Sequence, residues 1–484
     1  MYNISNQLIV LCITFLRRQF LINLSPSNLH QHNQHFAKSP CSAVAGLVFL
    51  GTLCSHPISR ILGKGSLVSS EPAKTNIRSY FVNDQDEIRN IENPNYYFKY
   101  FLTKNGRVND RQRFHFNEAI RNIVHNRLEK EGMRKVPLPL GTHSTSPHVP
   151  IFTSANLALA SRVIVVFGEP NQDLGIMALR VVNGPGGINK GSMVSVVQEI
   201  NRQTSSSSDP SAPGIILANT GELWWWPEGK KALSPTSAIA IPQKSMVHRG
   251  REFNSKLHSI PKNESPEAHI QYVLDEVLLT LVLPAARLDI VGIGLGADHV
   301  TKALDNPDTW SVIGHRINTL SLLGSTTSIE ELSHEPFKEF LPRRARAYIT
   351  DEAPVLTPLA RPGGNPNTAS FTQHGCTVYS SGEAYYVECI PITNRAPILD
   401  WIQEVAFAGH DYRHPEVVAV DPRMPTEEEW AAGSFDETWK KLPEFAKPSL
   451  GYAMSLEAHE HCNVLKGVQE FTKSQVAKHG DDDK

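Results

Sequence analysis

Four short apolar runs restrict this chain more than any other feature. They are Arg162-Val-Ile-Val-Val-Phe167, Gly214-Ile-Ile-Leu-Ala218, Leu288-Asp-Ile-Val-Gly-Ile293 and Ile317-Asn-Thr-Leu-Ser-Leu-Leu323. Their apolar character is continuous rather than alternating and rich in β-branched residues, which suits strands buried on both faces. Arg346-Ala-Tyr-Ile349 and Tyr385-Tyr-Val-Glu-Cys-Ile390 are weaker candidates of the same kind. Helical patterns lie between the runs. From Asn117 to Glu131, Ile120, Ile123, Val124 and Leu128 share one face, and Val194 to Ile200 and Ala297 to Leu304 are shorter pieces. Ser265-Pro266 makes a helix start, with Ser at the cap and Pro at the first helical position. Ile270, Val273, Leu274, Val277, Leu278 and Leu281 mark the buried stripe of that helix. Strands alternating with helices predict an α/β domain, a mostly parallel sheet with helices on both faces.

Composition bounds the rest. The 484 residues are 40% hydrophobic and 20% charged, an ordinary globular balance. Lys plus Arg number 47 against 49 Asp plus Glu, for a net charge of −2. That argues against a chain whose main work is to coat nucleic acid or an anionic membrane. The six cysteines, at 12, 41, 54, 376, 389 and 462, form no CxxC pair and no regular spacing. Neither a zinc site nor a disulfide framework is indicated, no cofactor is expected, and a reduced intracellular setting fits.

No Asp or Glu precedes Glu71. The apolar runs Leu8 to Leu16 and Ala43 to Leu53 fall short of the roughly 18–20 residues that cross a bilayer. Arg17 and Arg18 follow the first run, where a secretory signal would place its charge before it. The segment is compatible with a mitochondrial transit peptide or, more simply, a poorly ordered extension over residues 1–90. One main domain is expected over 91–414, with Ser205 to Ser208 and Arg361 to Asn367 as loops. A helical appendage ending in an acidic tail is expected over 415–484.

Chemistry should concentrate where the third run enters a helix, at Gly292-Ile-Gly294-Leu-Gly296-Ala-Asp298. In α/β-hydrolases a serine stands on such a turn, within Gly-x-Ser-x-Gly. Here the flanking glycines Gly292 and Gly296 are in place, but the central residue is Gly294, which has nothing to attack with. A dinucleotide loop needs Gly-x-Gly-x-x-Gly early in a βαβ unit, with an acid about 20 residues on. The final glycine is at the wrong spacing and the turn comes after two earlier strands, although Asp308 falls loosely in the acidic region.

An ordered series of segments carries a family resemblance. It opens with Phe98-Lys-Tyr-Phe-Leu-Thr-Lys-Asn-Gly106 and Phe114-His-Phe116 and continues through Val163 to Gly168 and Ile216-Leu-Ala-Asn-Thr-Gly-Glu-Leu223. Asn254 to Val273 follows with Ser265-Pro-Glu-Ala-His269, and then Asp289 to Gly296 and Arg316 to Gly324. Over residues 90–400 the chain resembles the argonaute-binding domain family. That domain occurs alone in fungal silencing proteins and follows the catalytic domain of fungal class II histone deacetylases. The resemblance implies an α/β-hydrolase-like fold in which some members keep Ser at the elbow and a His after the last strand. Here the Ser position falls on Gly294. The late turn Ser380-Ser-Gly382 is followed by Glu383-Ala-Tyr-Tyr386 with no histidine, and Gly324 and Ser325 rather than Asp follow Leu323. All three triad positions read as empty.

The resemblance therefore implies a non-catalytic binding subunit in small-RNA-directed or deacetylase-linked heterochromatin silencing. Its partner would be an argonaute protein or a histone deacetylase complex acting in trans, in the nucleus or cytoplasm. The alternative is an active hydrolase with a rearranged nucleophile, for which Ser325 or Cys376 would attack and His374, His410 or His414 would serve as base. Leu223-Trp224-Trp225-Trp226-Pro227 is a candidate partner-binding patch, since three successive rings cannot all face one core; local packing over the sheet end is the other reading. Arg343-Arg344-Ala-Arg346 could touch phosphate or an acidic partner, or be a solvated surface turn.

Overall fold

The computed structural model describes residues 80–143, 145–241, 252–368 and 370–419. Its first elements are two antiparallel strands, β1 (Tyr80–Val82) and β2 (Ile88–Asn90). They stand ahead of residue 91, where the sequence placed the domain boundary. Strands of three residues carry no readable period, yet Ile88 is fully buried and Asp86 pairs with Arg127 at 2.7 Å. The domain therefore begins earlier than expected. The remainder of the expected N-terminal extension, and the expected C-terminal appendage from residue 420 onward, lie outside the described residues.

Helix α1 runs from Gly106 to Lys130, beginning eleven residues earlier than the apolar face suggested. Asn105-Gly106 reads as a turn in sequence; in the structure Asn105 is the N-cap, its side chain accepting from the Arg107 amide. After α1 come β3 (Met133–Leu138), β4 (Val149–Ser154), β5 (Arg162–Phe167), helix α2 (Met193–Ile200) and β6 (Gly214–Leu217). A small hairpin, β7 (Trp224–Trp226) with β8 (Lys231–Leu233), leads to the long helical segment 266–281. Within that segment Val273–Val277 is a π-helical turn. β9 (Arg287–Ile293), α3 (Leu295–Leu304), β10 (Ile317–Leu323), α4 (Glu335–Arg344) and β11 (Ala345–Ile349) alternate. β12 (Pro358–Ala360), β13 (Thr377–Ser380) and α5 (Arg395–Ala408) close the domain.

Nine strands form one sheet in the order β12-β13-β11-β10-β9-β5-β6-β4-β3. Five successive pairs from β6 to β13 are parallel, while β4 and β12 run against their neighbours. The arrangement is a mostly parallel, α/β-hydrolase-like sheet, and the four apolar runs supply its centre. Side chains alternate across it. Val163, Val165, Phe167, Leu288 and Ile290 pack with Leu274, Val300 and Phe337 from 266–281, α3 and α4. Ile164, Val166, Val291 and Ile293 pack with Val124, Val197 and Ile402 from α1, α2 and α5. Both faces are covered, which is why these strands could be continuously apolar. Tyr385–Ile390 is not a strand: Val387–Cys389 is a single 3₁₀ turn, and the last parallel strand is Thr377–Ser380.

A buried ion pair enters the sheet between β5 and β9. Arg162 Nε donates to Asp289 Oδ2 at 2.6 Å, both residues buried, and Asn318 Nδ2 and Thr319 Oγ1 also donate to Asp289 at 2.9 and 2.7 Å. This cluster ties β5, β9 and β10 together at their N-terminal ends, opposite the turn that should carry chemistry.

Candidate functional site

β9 ends at Ile293 and the chain turns through Gly294 into α3. Gly294 has φ +55° and ψ −125°, a conformation that side-chain-bearing residues seldom adopt. Its amide donates to Leu323 O at 2.7 Å, fastening the turn to the end of β10. The flanking glycines are held by space. A Cβ on Gly292 would lie 2.5 Å from Ala297 Cα, and one on Gly296 would lie 2.4 Å from the Gly168 carbonyl. The sequence thus builds a nucleophile elbow in full.

The place of the nucleophile is filled by another residue. A Cβ on Gly294 would lie 1.6 Å from Oε1 of Glu169. Glu169 follows Gly168 directly after β5, on the loop that in α/β-hydrolases contributes one of the two oxyanion-hole amides. Its carboxylate rests over the first turn of α3, where a helix N-terminus favours negative charge. Sequence reasoning missed Glu169. The signal was present: an acidic side chain immediately after a buried strand, on the loop facing the elbow.

The remaining triad candidates are not brought to the elbow as a working set. Ser325 donates to Asp298 Oδ1 at 2.7 Å, and Thr326 and Thr327 bring two amides and two hydroxyls to the same carboxylate at 2.8–3.1 Å. Asp298 on α3 therefore pins the loop after β10, with Ser325 as one of its donors. His374 is buried, its Nδ1 3.1 Å from Thr327 O, and burial lowers its pKa. Cys376 is fully buried and its thiol is pushed up to about 12, so it carries no thiolate at neutral pH. Arg344 bonds both Gly409 O and Asn318 Oδ1, which places 409–414 at the N-terminal edge of the sheet. His410 and His414 are consequently a strand's length from the elbow.

An acid does stand one strand further along than the sequence reading looked. Asp351 follows the end of β11, whereas Gly324 and Ser325 follow the end of β10, as the sequence reading has it. Its oxygens accept from the Ala353 amide at 2.8 Å and Ser370 Oγ at 3.4 Å, and the turn directly after β13, residues 381–386, holds no histidine for it to orient. Arg346–Ile349 reads as a weaker strand candidate in sequence and is β11 in the structure, but the residue that follows it was not weighed.

A buried polar network braces the Glu169 loop. Thr220 Oγ1 donates to Gly168 O at 2.6 Å. Asn219 Nδ2 donates to Glu222 Oε2 at 2.8 Å, and Arg121 Nη1 reaches Glu222 Oε1 at 2.7 Å. The fully buried Glu222 carboxyl is held below its usual range; burial opposes this, and the Arg121 guanidinium overcomes it. Asp173, in the same loop as Glu169, is raised to about 6 by burial and by the Glu222 charge; Ser234 Oγ donates to it at 2.5 Å. The Asn219 amide donates to His269 Nε2 at 3.0 Å, so the ring's proton is on Nδ1, 2.7 Å from Asn263 Oδ1. Burial holds His269 at about 3, and it is neutral.

Trp225 is 3% exposed and belongs to the main core. Trp224 is partly buried against Phe253 and His258, and Trp226 against Phe114 with Lys231 over its ring. The three rings do split between two sides of a strand, but the outer pair is covered in part by the chain itself. Nor is Arg343-Arg344-Ala-Arg346 a surface turn. Arg346 is buried between Tyr379 and Trp401, Arg344 is committed to Asn318 and Gly409, and Arg343 alone faces solvent. Among the described residues no three His, Cys, Asp or Glu converge on a point that could hold a metal ion. No helix among them is long and apolar enough to cross a membrane.

Comparison with known proteins gives one family match, the Arb2 domain, over residues 79–355. No curated relative matches the chain. Similar solved structures are esterase Est22 (10% identity, TM-score 0.29, covering 63% of this chain and 89% of that one) and a thermostable esterase from Pseudomonas putida (10%, 0.26, 62% and 90%). An S-formylglutathione hydrolase from Agrobacterium tumefaciens is similar at 11% identity and TM-score 0.26, covering 57% and 94%. Likeness this loose does not bear on chemistry.

Proposed function

We propose, from the premise that this chain belongs to the Arb2 domain family, that it is a non-catalytic, α/β-hydrolase-like binding subunit. Its partner is an argonaute protein or a histone deacetylase complex, and its setting is small-RNA-directed or deacetylase-linked heterochromatin silencing in the nucleus or cytoplasm. One observation carries the non-catalytic reading: the elbow holds Gly294, and the Glu169 carboxylate lies where a nucleophile would project. A carboxylate there repels a hydroxide and fills the space an acyl group would need. The near-neutral charge supports protein contacts over nucleic-acid wrapping.

Two measurements test the two halves. A fluorophosphonate serine-hydrolase probe leaves the unmodified chain unlabelled; labelling overturns the non-catalytic reading. Affinity purification of the tagged chain, followed by mass spectrometry, recovers an argonaute or deacetylase subunits. Recovery of neither overturns the partner assignment.

A further inference from the structure

Beyond the ends of β11 and β13 lies a surface that is both aromatic and acidic. Tyr385 is 66% exposed there, its ring 6.2 Å from that of Tyr386, and Val355 and Phe371 are exposed alongside. The pieces are contiguous. The Asp351 amide donates to Glu383 O at 3.0 Å, Ser370 Oγ reaches Asp351, and a Cβ on Gly382 would touch Val355 at 2.8 Å. Three carboxylates, Asp351, Glu352 and Glu383, border this shelf, and none pairs with a cation among the described residues. Glu383 Oε1 is oriented by the amides of Tyr385 and Tyr386, both at 3.2 Å.

The chain itself shows what such a surface grips. Immediately beside it, Arg180 lies 3.4 Å over the Tyr386 ring while its Nε donates to Glu388 at 2.9 Å. One guanidinium is held between an aromatic face and a carboxylate. Tyr385 with Glu383, on the shelf that Glu352 borders, repeats the same pairing of groups, and no guanidinium among the described residues lies over that ring.

Resting on the reading of this chain as a protein-binding subunit, we propose that this shelf docks an arginine-bearing segment of the partner protein. The arginine stacks on Tyr385 and its charge meets Glu352 and Glu383. Apolar residues flanking it lie on Val355 and Phe371. Arginine rather than lysine is specified because a planar guanidinium stacks on a ring and bridges two carboxylates at once.

The test uses the full chain and a fluorescent, capped peptide carrying two arginines among leucines and glycines. Counterparts of the peptide carry glutamine or lysine at the arginine positions. The arginine peptide binds, the lysine peptide binds several-fold more weakly, and the glutamine peptide does not bind. Tyr385→Ala and the pair Glu352→Gln with Glu383→Gln each weaken the arginine peptide by about three- to tenfold, and added salt weakens it further. The glutamine variant keeps the oxygen that orients the turn, so a loss there is not a loss of fold. Equal binding of the arginine and glutamine peptides, or unchanged binding by the variants, overturns the proposal. If deleting residues 1–70 strengthens peptide binding, the occupant is the chain's own acid-free segment and the partner assignment falls. Purified argonaute separates this proposal from the previous one. Retained argonaute binding by the variants rejects the shelf alone, whereas peptide binding without argonaute binding rejects the partner alone.

Discussion

Placing a serine back on the elbow should cost stability without producing an enzyme, and the cost should depend on Glu169. At φ +55° a side-chain-bearing residue pays strain of about 1–3 kcal/mol. The new Cβ would also lie 1.6 Å from Glu169 Oε1, so the carboxylate must leave the first turn of α3. A half-buried carboxylate at a helix N-terminus contributes about 1–2 kcal/mol. Gly294→Ser is therefore expected to lose about 2–5 kcal/mol, and Glu169→Ala about 1–2 kcal/mol. In the double variant the displacement is counted once, so it should be about as stable as Gly294→Ser alone. The shortfall from additivity is then about 1–2 kcal/mol, above the roughly 0.5 kcal/mol scatter of independent sites. Urea unfolding of the four proteins at pH 7, followed by tryptophan fluorescence, measures it. Additive losses, or a Gly294→Ser protein as stable as the parent, would refute the placement of Glu169. None of the four should be labelled by fluorophosphonate, because no histidine stands on the turn directly after β13 to activate the new hydroxyl.

The remaining expectations concern what holds the domain in shape. Asp289→Ala strands Arg162 uncompensated in the sheet and should cost about 3–5 kcal/mol in the same unfolding assay. Gly296→Ala forces α3 away from the Gly168 carbonyl, and a loss comparable to Gly294→Ser is expected in thermal melts. Burial holds the pKa values of His125 and His269 at about 3, below the value of an unfolded histidine. Their contribution is complete above about pH 6.5 and fades as pH falls toward 3, at about 1.4 kcal/mol per pH unit for each ring. Asp173, raised to about 6, acts in the opposite sense between about pH 4 and 6, so Asp173→Asn should make the acid loss of stability steeper. Urea midpoints at pH 7, 6 and 5 check both signs. Trp225→Ala should cost about 3–5 kcal/mol as a core truncation, whereas Trp224→Ala should cost clearly less.

Legibility in the sequence followed burial. The strands buried on both faces announced themselves as continuous apolar runs, and Arg162–Phe167 and Ile317–Leu323 were readable to the residue. β3 was not readable, because an edge strand exposes Arg134 and Lys135 and tolerates Pro137. β13 escaped for a different reason: four residues, Thr-Val-Tyr-Ser, form no run, and the aromatic pair Tyr385-Tyr386 drew attention to a solvent-facing turn instead. At the elbow, spacing exposed the glycines and the missing serine, since both are local. Glu169 lies over a hundred residues away, and only the pairing of β5 with β9 brings it there. Asp351 follows β11, a strand legible only as a weaker candidate, and its place in the sheet depends on the pairing of β11 with β10 and β13.

The segments that carry the family resemblance meet in three dimensions for a structural purpose. Asn219 to Glu222 follows β6, and Ser265 to His269 opens the long helical segment, about fifty residues on; the Asn219 amide and the His269 ring join them. His269 can accept that amide only while neutral, and its other nitrogen is satisfied by Asn263. Thr220 then holds Gly168, and Glu222 with Arg121 sets the charge beside Asp173. Of these contacts the Thr220 bond ends on the loop that carries Glu169, and the Glu222 charge acts on Asp173 of the same loop. In a hydrolase this bracing would hold an oxyanion amide in register with a serine. Here it holds a carboxylate against a glycine, so the same rigidity that would serve catalysis keeps the elbow occupied.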